Sequence, residues 1–297
     1  MPATLDPGLL ATFLSVLEHG RISAAARAEH LSQPAVTGRI RRLERELGAA
    51  LFTRSVHGVT PTAAGERLAV HARAHRRLLA EAAADVGGAA LERGELALAA
   101  STTIAAHALP PVLARFRARM PSARLSLAIG NSEDVVARLR AGKAALGLVE
   151  GLPRASGVRF EPWRDDELVP VLGRDAPWTP RRIEDLATLP LLWREPGSGT
   201  RAVVARALTR AGARGRPGPL DLELASNEAI AGAAAAGLGL AFLSRAALGP
   251  HLAAGSLRPV PGLGLVVRRT FSWALPSGGL AGLALTFRRL ADETPTT

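Results

Sequence analysis

The sequence predicts an α+β chain of several domains: a small helical head with a hairpin, one long helix, and an α/β region behind it. Three observations predict this. The first sixty residues hold three apolar stripes at helical spacing, followed by two short runs that flank a turn. Residues 62–86 carry one further stripe at helical spacing, which stops at Gly87-Gly88. From Gly94 onward, strand-like runs alternate with helical ones, as parallel sheets covered by helices require. The expected domains are residues 1–61, a connecting helix over 62–90, and an α/β domain over 91–297.

A chain of 297 residues exceeds one small module, and 47% apolar residues are enough for packed cores. There is no cysteine, which excludes disulfide staples, thiolate metal sites and a cysteine nucleophile. The N-terminus lacks the basic stretch of a signal peptide, and no apolar run is long enough to span a bilayer, so a soluble cytoplasmic protein with no membrane partner is expected. The formal charge of +11 invites a polyanion. That surplus is spread out, however: residues 1–90 hold 11 arginines against 8 acidic residues, and Lys143 is the only lysine. The nature of the partner must therefore come from pattern.

In the head, Asp6 before Pro7 predicts a helix cap with a first-turn proline, and Leu10, Phe13, Leu14 and Leu17 form one stripe that Gly20 ends. Ser23 is the expected cap of a short second helix, Ala24 to Glu29, whose Ala24-Ala25-Ala26 run permits close packing. A tight turn through His30, Leu31 and Ser32 leads to a third helix. Ser32 caps it, Pro34 fits its first turn, and Gly48 ends it. Val36, Ile40, Leu43 and Leu47 share its inner face, while Gln33, Thr37, Arg41 and Arg45 share another, flanked by Arg39 and Arg42. Two short helices joined by a tight turn, the second presenting Gln, Thr and Arg, make a helix-turn-helix: Gln reads adenine, Thr touches a thymine methyl, and Arg reads guanine or holds phosphate. A plain helical bundle with a solvated polar face satisfies the same periodicity. The next segment favours the first reading, because Leu51-Phe52-Thr53-Arg54 and Gly58-Val59-Thr60 predict a hairpin, or wing, with Arg54 near the phosphates.

The ordered set Ser23-Ala24-Ala25-Ala26, Leu31-Ser32-Gln33-Pro34-Ala35-Val36-Thr37, Ile40, Leu43-Glu44, Leu47-Gly48, Leu51-Phe52, Arg54, Thr62 and Ala64-Gly65 resembles the LysR-type transcriptional regulators. The resemblance implies that Gln33, Pro34 and Thr37 face bases and that Arg54 faces phosphate. The full expected DNA-binding set is Ser23, Ser32, Gln33, Pro34, Thr37, Arg39, Arg41, Arg42 and Arg54. Two positions depart from the family pattern. Gly38 stands where a larger polar or basic residue is common, and Pro61 stands where leucine is usual.

Thr62 is the expected cap of the long helix, in which Leu68, Ala72, Leu79, Ala83 and Val86 form the stripe. Such a helix cannot bury its stripe alone. The resemblance implies pairing with a second subunit in a homodimer or homotetramer, which would present two reading heads to a two-fold site. His71 and His75 have chelating spacing but no third ligand, so a solvated helix face is preferred over a metal site.

Strands are expected at Glu95–Ala100, Arg124–Ile129, Ala145–Val149, Glu167–Leu172, Leu191–Trp193, Leu220–Ala225 and Leu238–Leu243. Helices are expected at Pro110–Arg119, Ser132–Arg140, Thr200–Ala211, Glu228–Ala236 and Leu280–Ala291. The resemblance implies a two-lobed, periplasmic-binding-protein-like fold of type II with two sheets, the chain crossing near Pro162–Arg164 and returning near Val267–Thr270, so that lobe I comprises 91–162 plus 269–297 and lobe II comprises 163–268. Ligands of such folds sit where strand ends meet helix starts. The expected effector residues are Ser101, Thr102 and Thr103; Asn131; Glu150; Arg194, Glu195, Gly197, Ser198, Gly199 and Thr200; and Asn227. The Gly197-Ser198-Gly199-Thr200 loop offers close backbone approach and free N–H groups, and Arg194 and Arg201 offer charge, so a small anionic metabolite is expected. Helix capping alone explains any single one of these junctions. The stretch from Arg194 to Arg201 also resembles a subgroup of LysR-type proteins controlling carbon fixation and related anabolic genes.

The expected function is transcription regulation, with promoter DNA, an anionic metabolite and a second copy of the chain as partners and RNA polymerase admitted as a further one. No cofactor, no metal and no catalytic residue is expected; His107 near Ser101 is the one pair that suggests chemistry. The alternative is a solute-binding protein whose N-terminal region is an appendage that does not bind DNA.

Overall fold

The computed structural model describes residues 5–55, 58–87, 94–151, 155–276 and 279–295. It divides into two compact units, residues 1–91 and 92–297.

The N-terminal unit opens with α1 (Pro7–His19). Asp6 Oδ1 accepts from Gly8 N–H at 2.7 Å, and Gly20 closes the helix at φ +65°. Phe13 and Leu14 on this helix are fully buried. Next, α2 spans Ile22–Ala28 and corrects the expected cap: the extended backbone of Arg21 starts the helix, and its carbonyl accepts from Ala25 N–H at 3.1 Å. Ser23 thus lies inside the first turn, half-buried, without a capping role. His30 takes a left-handed φ of +54° in the turn. In α3 (Gln33–Leu47), Ser32 Oγ accepts from Ala35 N–H at 3.3 Å, and Gly48 reverses the chain at φ +65°. Val36, Ile40 and Leu43 are buried, but Leu47 is 37% exposed. After the reversal Leu51 enters the same core, and its N–H donates to Glu44 Oε1 at 2.8 Å, so Leu47 is left at the rim.

The hairpin is formed by β1 (Phe52–Ser55) and β2 (Gly58–Pro61), paired antiparallel with Arg54 opposite Val59. It is fastened to the end of α1. Val59 N–H donates to Gly20 O at 2.9 Å, and a Cβ on Gly58 would fall 2.4 Å from that same oxygen. Pro61 keeps its register opposite Phe52. The long helix α4 (Ala63–Gly87) is capped by Thr62, whose Oγ1 accepts from Gly65 N–H at 3.1 Å and donates to Ala50 O at 2.7 Å. Gly65 admits no side chain, because a Cβ there would sit 2.2 Å from Leu51 O. Leu68 and Ala72 reach the head's core, whereas Leu78 and Leu79 are exposed. Ala83 and Val86 lie outside the residues whose side chains are described.

In the second unit, lobe I contains β3 (Glu95–Ser101), a π-helical turn (Ile104–Ala108), α5 (Pro110–Arg119), β4 (Arg124–Gly130), α6 (Ser132–Arg140) and β5 (Leu146–Glu150). The 16-residue β6 (Val158–Gly173) runs out of it. Lobe II follows with β7 (Leu191–Arg194), α7 (Gly199–Arg210), β8 (Leu222–Leu224), α8 (Asn227–Ala235), β9 (Leu240–Ser244), α9 (Arg245–Ala253) and β10 (Leu257–Pro259). Then β11 (Val267–Pro276) returns, and α10 (Gly282–Asp292) packs on α5 through Phe287 and Phe116, with ring centroids 5.4 Å apart.

Among the described residues the strands form one hydrogen-bonded path in the order β4-β3-β5-β11-β6-β9-β7-β8, with β10 on β6. The two sheets expected from sequence are therefore joined, because β6 and β11 pair with each other and also carry the lobe I and lobe II ladders. Their register shifts once, between Phe271 and Ser272, where Trp163 is the extra residue between Pro162 and Arg164. No described helix is long and apolar enough to cross a membrane.

Gly38 lies in mid-α3, and a Cβ at that position would meet nothing within 4 Å. Gly38→Ala is therefore expected to stabilise the head by about 1 kcal/mol through helix propensity alone. Chemical denaturation of the variant against the parent checks this; unchanged or lower stability would count against it.

Candidate nucleic-acid interface and ligand cleft

The start of α3 presents Gln33 and Pro34 exposed and Thr37 half-exposed, with Arg41 and Arg42 exposed one turn further on. Arg42 pairs with Glu46 at 2.9 Å. Arg41 and Arg45 make no ion pair or hydrogen bond among the described residues, and they line an open groove of about 690 Å³ beside Gly38 and Gly48. Two of the expected contacts are committed elsewhere. Arg39 turns back into the head, donating from Nη1 to Thr12 Oγ1 at 3.0 Å with Glu29 at 3.7 Å, and Thr12 itself donates to Glu29 at 2.8 Å. That network ties α1, α2 and α3 together. Ser32 uses its hydroxyl as the cap. Arg54 lies in β1, with its side chain outside the described residues.

The second unit brings its expected residues together in two clusters rather than one. The first joins the end of β3 to the end of β7 and the start of α8. Arg194 is buried and holds Glu195 through a two-pronged pair, Nε to Oε2 at 2.8 Å and Nη2 to Oε1 at 3.0 Å. Its remaining Nη1 donates to Thr102 Oγ1 at 3.2 Å and to Asn227 Oδ1. Asn227 Nδ2 in turn donates to Thr102 Oγ1 at 3.2 Å and Thr103 Oγ1 at 2.9 Å. Arg194–Thr102 and the two Asn227 bonds thus cross from one lobe to the other. Ser101, next to Thr102 in the chain, is buried, and its Oγ has no hydrogen-bond partner. The Glu228 carboxyl at the rim is held below its ordinary range, chiefly by its own backbone N–H and the Ser226 hydroxyl.

The second cluster is a lock between lobes. Asn131 serves as the cap of α6, accepting from Glu133 and Asp134 N–H at 3.0 Å each. The glycines expected to admit a ligand instead admit lobe I: a Cβ on Gly197 would lie 2.7 Å from Glu133 Oε2, and one on Gly199 would lie 2.3 Å from Glu150 O. Ser198 caps α7 by accepting from Arg201 N–H at 3.4 Å. Thr200 donates to Glu150 Oε2 and accepts from Arg269 Nη1 at 2.7 Å. Arg201, expected to lend charge to a ligand, is held by Glu223 and by the Arg194 carbonyl at 2.9 Å. At the base, the buried Arg269 on β11 bridges Glu150 at 2.8 Å and Asp166 on β6 at 2.7 Å. Burial pushes the Glu150 carboxyl up, but Arg269, the Thr200 and Thr103 hydroxyls and the charge of Arg194 bring it down to about 2.

Sequence reading misses Arg269 and Asp166. A signal is there for Arg269, which alternates with Val267 and Phe271, both buried, on one face of a strand. His107 is exposed and no hydrogen bond joins it to buried Ser101. Among the described residues no group of three His, Asp or Glu is placed to hold a metal ion.

This combination of a winged helix-turn-helix with two α/β lobes around a polar cleft has matches among known proteins. Residues 89–295 match the LysR substrate binding domain, and residues 8–66 match the bacterial regulatory helix-turn-helix protein, lysR family. The chain belongs to the LysR family. The HTH-type transcriptional regulator CbbR of Xanthobacter flavus is 35% identical over 273 residues, which is 87% of this chain and 80% of that one. ArgP from Mycobacterium tuberculosis has a similar structure, with a TM-score of 0.76 at 25% identity over 98% of both chains. The CcmR regulatory domain of Synechocystis PCC6803, solved in complex with 2-PG, has a TM-score of 0.60 and 29% identity over 67% of this chain and 96% of its own. This LysR-family chain is thus a DNA-binding transcriptional regulator with an effector-binding domain. The solute-binding alternative does not fit a chain similar to regulators across both of its units.

Proposed function

We propose that this LysR-type regulator binds a two-fold promoter site as a homodimer or homotetramer, and that a small anionic metabolite enters between the lobes to set their angle. The observation that carries this reading is the set of direct hydrogen bonds that Arg194 and Asn227 donate to the Thr102 and Thr103 hydroxyls. Arg194 Nη1 meets only neutral oxygens there, Thr102 Oγ1 and Asn227 Oδ1. A carboxylate or phosphate in their place would add ion pairing to the hydrogen bond, and two of its oxygens could be held at once. Ser101 Oγ, buried and unpartnered, supplies a further donor. The 2-PG complex of the CcmR regulatory domain supports the same ligand class by likeness. Gln33, Pro34, Thr37 and Arg41 are the proposed DNA contacts, and the exposed Leu78 and Leu79 on α4 are the proposed seam with a second copy. A cytoplasmic location and a contact with RNA polymerase belong to the same reading, as does the absence of catalysis.

The test is retardation of promoter fragments by the full-length protein over a salt series. Binding is expected to fall steeply with salt, as release of counterions from phosphate requires. Salt-independent retardation, or none at low salt, counts against the DNA reading. For the cleft, 2-PG is expected to raise the melting temperature, with about 2.7 kcal/mol of added stability at a hundredfold excess over Kd. Thr102→Val is expected to weaken that response about tenfold in concentration, and an unchanged response would move the ligand elsewhere.

A further inference from the structure

Gly38, in the middle of α3, is a glycine that the fold does not require. Its φ lies outside the left-handed region, and a Cβ there would meet nothing within 4 Å. The other described glycines of residues 5–65 each have a steric reason. Gly20 and Gly48 end helices at φ +65°, Gly58 stands at φ +138°, and a Cβ on Gly65 would fall 2.2 Å from Leu51 O. Even at Gly8 a Cβ would press on Asp6 Oδ1 at 3.2 Å. A glycine inside a helix lowers stability relative to alanine, because it has more backbone freedom to lose on folding. Gly38 thus weakens α3 with no gain in the packing of the head.

A second observation is where on the helix it stands. Gly38 is two residues from both Val36 and Ile40, about 200° round the helix from each, and so lies opposite the stripe that enters the core. Pro34 and Arg42 are one turn away on either side, and Arg41 and Arg45 follow toward the C-terminus; all five residues are exposed. Small residues extend the gap. The groove of about 690 Å³ on this side of α3 is lined by Gly38, Gly48, Ala49 and Ala50 together with Arg41, Glu44 and Arg45. The centre of the outward face is therefore bare backbone, with cationic side chains beyond it.

We propose that Gly38 is a specificity-determining position of the DNA interface: with no side chain at the centre of the outward face, α3 sits closer to the base edges than any other residue there would allow. This rests on α3 entering the major groove, as proposed above. A helix with its side chains is about 10–12 Å across and the major groove is about 12 Å wide, so the residue at the centre of the inserted face sets the depth of entry. At that depth the short Thr37 side chain reaches base atoms, and the bare Cα of Gly38 takes the methyl group of a thymine.

Competition titrations of the full-length protein with a specific promoter fragment and a random one, at fixed salt, test this on Gly38→Ala, Gly38→Gln and Gln33→Ala beside the parent. Gly38→Ala is expected to lose about tenfold in affinity for the specific fragment, about 1.4 kcal/mol, and Gly38→Gln at least as much. Binding to the random fragment is expected to stay parent-like, because phosphate contacts carry no sequence information. Both Gly38 variants are expected to melt at or above the parent's temperature, which separates the loss from unfolding of the head. Parent-like specific affinity in Gly38→Ala, with Gln33→Ala weakened, overturns the proposal and leaves the α3 contacts standing. If Gln33→Ala is parent-like as well, α3 is not the element that reads bases, and the proposal falls with those contacts. A parallel loss on both fragments also overturns it, since the added side chain would then disturb something other than the approach to the bases.

Discussion

Arg269→Met is expected to destabilise the second unit by about 3–5 kcal/mol, the range for removing one partner of a buried ion pair. Methionine fills much of the same volume, so the loss isolates charge from packing. It leaves Glu150 and Asp166 buried without their shared cation. The dependence on pH gives the effect a signature. In the parent, the Glu150 carboxyl is held at about 2, below its ordinary 4.5. Its contribution is therefore present above pH 4.5 and is lost as pH falls toward 2. In the variant a proton takes the place of the guanidinium, so the folded state gains protons as pH falls. The stability gap between parent and variant should narrow between about pH 7 and pH 4. Urea denaturation at several pH values measures it, and a gap that is constant with pH would show that the cluster is not held by charge.

Gln33→Ala and Arg41→Ala are expected to damage DNA binding in different ways. Gln33 stands exposed at the first turn of α3, where a bidentate contact to a base edge is worth about 1–3 kcal/mol. Its loss should reduce affinity for the specific site about tenfold to a hundredfold and leave binding to unrelated DNA nearly unchanged. Arg41 makes no ion pair or hydrogen bond among the described residues. As a phosphate contact, its removal should weaken binding to all sequences alike and lower the salt slope by about one. Competition titrations on specific and random fragments at several salt concentrations separate the two. Equal behaviour of both variants would remove the distinction between base reading and phosphate holding on this face. Arg39→Ala provides a contrast: its bond to Thr12 predicts lost stability of the head before any lost specificity.

Much of this fold can be read in the sequence because its signals are local. Pro110–Arg119 and Ser132–Arg140 are helices with the expected bounds, set by a first-turn proline and by the Asn131 cap. Ser32 and Thr62 cap their helices because hydroxyl and N–H lie within a few residues of each other. Local signals fail where distant chain decides. Only the second half of β6 reads as a strand, since its first half carries Pro162 and the charged run Arg164-Asp165-Asp166-Glu167, and is half-exposed. It is extended because β11 pairs along its length. The helix α9 and strand β10 escape the sequence reading, with Pro250 sitting inside the helix. In the cleft, Thr102, Thr103, Arg194 and Asn227 do converge. The glycine loop misleads because what its glycines make room for, the α6 start and the Glu150 backbone, lies far away in the chain.

That β6 and β11 knit both lobes into one ladder has an energetic consequence. Rotating one lobe against the other need not rupture the strand pairing of that ladder, although a main-chain bond from Glu133 N–H to Gly197 O at 3.3 Å crosses between the lobes outside it. What opposes the motion in the Thr102 cluster is a handful of side-chain bonds, each worth about 0.5–1.5 kcal/mol net, or about 1.5–3 kcal/mol where Arg194 is the donor. The barrier between closed and open arrangements there is thus of the same size as the differential affinity that a small metabolite can supply. A protein built in this way responds to modest changes in metabolite concentration while its scaffold stays folded throughout.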